Sequence, residues 1–112
     1  MKTWDDVMND IKTRAEKPGL ALVVANGPEA LGMMASRAPD AVARGARMDL
    51  RFPSGFRVIL RRYRRAGDER NLRGYRADAV FVSTDIRGDD YFRHIAMYAQ
   101  RDLSASPTIF QE

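Results

Sequence analysis

The chain has 112 residues, 45% of them hydrophobic and 30% charged, which is enough for one packed core and too few for two. It contains no cysteine, which excludes disulfides, thiolate zinc sites, iron–sulfur clusters and cysteine nucleophiles, and its single histidine, His94, excludes a multi-histidine metal site. The longest apolar run, Leu20–Ala25, falls far short of the roughly 20 residues a membrane helix needs, so a soluble, cytoplasmic protein without a leader peptide is expected.

In chain order, Thr3 and Asp6 form an approximate capping box for a helix over 4–17, in which Trp4, Val7, Met8, Ile11 and Ala15 recur at helical spacing. Pro18-Gly19 ends it. Leu20–Ala25 then reads as a strand buried on both faces, since an unbroken apolar run between Pro-Gly and Asn-Gly suits a layer covered by helices on either side. A helix over 28–37 follows, with Pro28 at its first position, and a second short helical stretch is expected at Asp40–Arg44, stopping at Gly45. Met48–Leu60 predicts a hairpin with Gly55 in the left-handed position of its turn. Pairing Phe52 with Phe56 sets Leu50 opposite Val58 and Met48 opposite Leu60 on one apolar face. Arg51–Arg57, Asp49–Ile59 and Arg47–Arg61 share the other face, where facing arginines call for an anion, an acidic neighbour or open water. A polar connection over 64–76 leads to a second buried strand at 77–83. Asp89 then caps a helix to about Leu103, with Phe92, Ile95, Ala96, Ala99 and Leu103 as its buried stripe. The expected fold is a small layered α/β domain over 1–103, a short mixed sheet (20–25, 47–52, 56–63, 77–83) with a β-hairpin and about three flanking helices (4–17, 28–37, 89–103). Residues 104–112 form a tail, either frayed or docked through Ile109 and Phe110.

Charge is concentrated in one segment. Between Arg57 and Arg76 eight arginines face only Asp68 and Glu69, a net of +6 within a chain whose formal total is +4, so the rest is net acidic. Arginine outnumbers lysine 16 to 3, which reflects either phosphate-matched forks or a GC-rich coding sequence. The candidate binding residues are Arg57, Arg61, Arg62, Arg64, Arg65, Arg70, Arg73 and Arg76, able to neutralise phosphates or anchor a protein interface, with Tyr63 and Tyr75 available for stacking.

Gly27-Pro-Glu-Ala-Leu-Gly32 has its two glycines at Walker A spacing, directly between a strand and a helix. Together with Phe52–Leu60 and Leu72-Arg-Gly-Tyr-Arg-Ala-Asp-Ala-Val-Phe-Val-Ser83, this stretch resembles the core of P-loop (RecA-like) ATPases, in particular phage terminase large-subunit ATPases, over about residues 20–85. The resemblance puts Met33 and Met34 where the phosphate-binding lysine and the magnesium-binding hydroxyl belong, and Ser83 and Thr84 where the acidic pair of the second motif belongs. Asp85 stands one position late, and Pro28 lacks a loop N–H. What the resemblance implies is a degenerate core whose catalytic motifs are lost, with no ATP hydrolysis.

The remaining polar clusters read as structural. Asp89 and Asp90, near Asp85, suit capping and the helix dipole better than metal binding. His94, beside Tyr91 and four residues before Tyr98, has no nucleophile or third partner in view. No catalytic residue, metal site or cofactor is therefore expected. The expected function is a non-enzymatic binding module acting on a protein partner, of the phage or prophage accessory kind if the resemblance holds. The alternative is a nucleic-acid-binding accessory factor using Arg57–Arg76.

Overall fold

A computed structural model of the chain describes residues 1–63, 67–72, 74–86 and 88–112, and all of their side chains except those of Glu69, Asn71, His94 and Tyr98. The expectations for Arg64, Arg65 and Arg73, and for the side chain of His94, thus lie outside the described residues.

Helix α1 (Trp4–Arg14) begins where the capping signal stands, with the Thr3 N–H donating to the Asp6 carboxylate at 2.9 Å. It ends one turn earlier than the apolar spacing suggested. Strand β1 (Leu20–Ala25) is the centre of the sheet, and its side chains alternate between two cores. Ala21, Val23 and Ala25 pack with α1 and with α2 (Ala30–Arg37), while Leu22 and Val24 pack against the opposite layer. The unbroken apolar run is thereby accounted for.

Among the described residues the sheet has six strands in the order β2-β3-β4-β1-β5-β6, where β2 is Val42–Arg44, β3 Asp49–Arg51, β4 Arg57–Arg62, β5 Ala79–Ser83 and β6 Thr108–Phe110. Strands β4, β1, β5 and β6 run parallel, and β2–β3–β4 is an antiparallel extension. The β3–β4 register is the one the apolar pattern requires: Leu50 faces Val58, Arg51 faces Arg57 and Asp49 faces Ile59. The Phe52 N–H donates to the Phe56 carbonyl at 2.9 Å, the Leu60 N–H donates to the Met48 carbonyl at 2.8 Å, and Gly55 turns the chain at φ 93°.

Two elements differ from expectation, and the tail takes one of its two expected forms. Asp40–Arg44 is not helical; Val42–Arg44 instead pairs antiparallel with Arg51–Asp49, because a segment this short cannot complete helical hydrogen bonds while the open edge of β3 offers a ladder. The helical stretch after β5 begins at Gly88, so Asp89 lies inside α3 (Gly88–Asp90) and does not cap it. It continues as a π segment (Tyr91–Ile95) and α4 (Ala96–Ala99), the Ala96 N–H reaching back to the Tyr91 carbonyl. That extra residue in the turn rotates the buried stripe to Tyr91, Ile95 and Ala99. Phe92 and Leu103, expected inside, are 71% and 63% exposed. The tail is docked: β6 pairs with β5, and Phe110 is fully buried with its ring 4.7 Å from that of Trp4.

Candidate functional site

Side chains on one face of a strand pair stay together, so the register decides which arginines meet. On β4, Arg57, Ile59 and Arg61 share a face; across β3 it carries Asp49 and Arg51, and across β2 Arg44 and Val42. The opposite face of the same strands holds Leu50, Val58 and Leu60, all within the α1–α2 core. Arg44 and Arg47 are exposed, and Arg51, Arg57 and Arg61 are half-buried. Arg47 stands in the β2–β3 turn, where its carbonyl accepts from Arg61 Nη1 at 3.4 Å. Four arginines thus share this face, and Arg47 stands in the turn beside it.

Asp49 is the acidic neighbour that the facing arginines required. It is 1% exposed, with Oδ2 3.4 Å from Arg51 Nε and 3.9 Å from Arg57 Nη2. One carboxylate between two arginines leaves the pair of cations undercompensated, and the buried Nε of Arg57 has no acceptor, nor has Asp49 Oδ1 a donor. The exposed parts of the Arg51 and Arg57 side chains are where an incoming anion can be met.

Tyr75 bounds this face. The Arg61 guanidinium lies over its ring, 5.4 Å from the centroid, and Arg61 Nη2 donates to its hydroxyl. The same tyrosine lines a cleft of about 230 Å³ with Gly74, Arg76, Met97 and Gln100. Arg57, Arg61, Tyr75 and Arg76 are therefore linked in space. Arg62 is not among them, because it projects to the other face and its Nη2 donates to the Asn26 carbonyl at 3.5 Å. Tyr63 is 3% exposed within the second core, which withholds its ring from stacking on a ligand, and Arg70 sits exposed on a 3-10 turn (Asp68–Leu72).

Arg44, Arg47 and Arg51 were absent from the candidates drawn from the sequence. The signal for the last two was present in the hairpin register, which already set Arg47 and Arg51 against Arg61 and Arg57. Arg44 was hidden by reading its segment as helix.

The glycine loop after β1 is placed as anticipated, between a strand and a helix, but Met34 is fully buried in the α1–α2 core and Met33 packs against it. Among the described residues, no three acidic or histidine side chains cluster as metal ligands, and no helix is long and apolar enough to cross a membrane. No protein family, no curated protein and no solved structure matches the chain.

Proposed function

We propose that the protein is a non-enzymatic binding module that engages the phosphate backbone of a nucleic acid through the β2–β3–β4 face. The observation that supports this reading is the sharing of one face by Arg44, Arg51, Arg57 and Arg61 around the buried acid Asp49, with Arg47 in the adjoining turn. Strands about 4.8 Å apart, with a rise of about 3.3 Å per residue, spread these charges over a patch of about 10 by 13 Å, which accommodates two or three phosphates. Tyr75, half-buried beside Arg61, supplies an aromatic margin on which a base can stack. The non-enzymatic part of the reading is supported by Met34, which is a core residue, and Met33, which packs against that core; neither has the charge or the hydroxyl that phosphoryl transfer uses.

The test is fluorescence anisotropy with short single-stranded DNA and RNA. Three phosphate contacts predict a log–log salt slope of about −2, hence roughly a 20-fold loss of affinity between about 50 and 200 mM salt. Replacing the exposed Arg44 and Arg47 by serine is expected to weaken binding without moving the melting temperature. Absence of any nucleic-acid binding at low salt sinks the proposal and returns the face to a protein partner, for which pull-down should be insensitive to that salt range.

A further inference from the structure

The C-terminal ends of β1 and β5 form a crevice. These strands are neighbours, yet after β1 the chain passes to α2 on one face of the sheet, and after β5 to the π segment and α4 on the other. Adjacent connections that part in this way leave a gap into which backbone N–H groups point, the place where open parallel sheets receive ligands. Here the gap is filled by the chain's own Glu112. Its carboxylate accepts from the Gly27 N–H at 2.8 Å through Oε1, and through Oε2 from the Asn26 N–H at 3.1 Å and the Ser83 hydroxyl at 2.7 Å. Ser83 has no solvent exposure.

We propose that this crevice is an anion-binding site, built for a singly charged carboxylate or phosphate group, and that Glu112 is its ligand in cis. Two backbone donors and one buried hydroxyl converging on a carboxylate are charge-assisted bonds of the kind that select an oxyanion. Arg62, resting against the Asn26 carbonyl, adds a guanidinium to the same loop. A cleft of about 190 Å³ opens beside the carboxylate, lined by Trp4, Gly27, Glu29, Ala30, Met33 and Glu112, so a ligand replacing Glu112 has room for a small apolar body. Glu29 in that lining, with Asp85 following β5, opposes a polyphosphate. The lack of a side chain at Gly27 is what admits the anion, because a Cβ there would fall 2.7 Å from Glu112 Oε1. This site is separate from the arginine face and does not depend on it.

Chemical rescue in the full chain tests the proposal. Glu112→Ala empties the donor set; acetate and inorganic phosphate are then titrated at constant ionic strength, with the Asn26 and Gly27 amide resonances and the melting temperature as readouts. Saturable shifts of both amides, with recovery of the melting temperature, are expected in the millimolar range. The apparent affinity in the unaltered chain should be weaker by about twofold or more, because the tethered carboxylate competes at an effective concentration comparable to that millimolar affinity. An acetate response assigns the site to carboxylates and a phosphate response to phosphate groups. Glu112→Ser, which also withdraws the carboxylate from the donor set, carries the same titration should the alanine variant unfold. In the Glu112→Ala, Gly27→Ala double variant the response should vanish. No saturable response in either Glu112 variant, or an undiminished one in the double variant, overturns the proposal.

Discussion

A single carboxylate decides how the arginine face is held. Asp49 is buried where two arginines meet, and a buried acid is tolerated only with compensating cations. The distances, 3.4 and 3.9 Å, make these ion pairs rather than short hydrogen bonds, and both arginines keep more than a third of their side-chain surface in water. Tyr91 is a second buried polar group. Its hydroxyl donates to Gln100 Oε1 at 2.9 Å, and burial pushes the phenol up from its ordinary value of 10.0 to about 12. A raised folded-state pKa gives stability that is present in full below the unfolded value and is lost as pH rises through about 12. An absorbance titration should therefore show phenolate formation near pH 12, with Tyr91→Phe reducing that phase by one tyrosine. An unchanged high-pH phase in the variant would place this phenol in water.

At the scale of elements, the hairpin is the best test of packing. Phe56 is buried in the α1–α2 core with its ring edge-on to Phe52, so Phe56→Ala should cost roughly 3–5 kcal/mol. Arg57→Ala leaves Asp49 with Arg51 and should cost about 1 kcal/mol, more than a free surface arginine because the remaining acid stays buried. Urea melts of the two variants check the ranking, and equal losses would refute the register. That register was legible because both strands had to agree on which face is apolar, and β1 was legible because an unbroken apolar run has few other uses. The π segment was not: one additional residue in a turn leaves no mark on a 3.6-residue pattern, yet it moves Phe92 from core to surface. Nor was β2, since Val42-Ala43-Arg44 is too short for its periodicity to choose between helix and strand. Glu112 had no local signal at all, because its backbone partners lie 85 and 86 residues away.

At the scale of the molecule, whose extents are 35 × 29 × 27 Å, the two sites occupy different parts of one sheet. The arginine face belongs to the antiparallel extension and the carboxylate crevice to the ends of the parallel strands. They can therefore be perturbed separately, and variants at Arg44 and Glu112 should be additive in stability. The sheet's two borders are unlike. Beyond β6 the chain's own Lys2 pairs with Phe110, and the Gln111 N–H donates to the Lys2 carbonyl at 2.8 Å. Among the described residues no strand follows β2 in the sheet order, and Val42, 62% exposed, stands at that border.

The open border gives the arginines a second task. An unpaired strand is a template for another copy of itself, and shortness and positive charge are the usual defences. Strand β2 has both, since it is three residues long and ends at Arg44. Two molecules approaching border to border would bring their arginine clusters together, and mutual repulsion would hold them apart until salt screens it. Raising the ionic strength should then have two effects at once, release of a bound polyanion and a rise in self-association. Sedimentation velocity on the free protein would show the second, and Arg44→Val should bring it on at lower salt. The same arginines that would draw in a polyanion would then also oppose pairing of two molecules along this border.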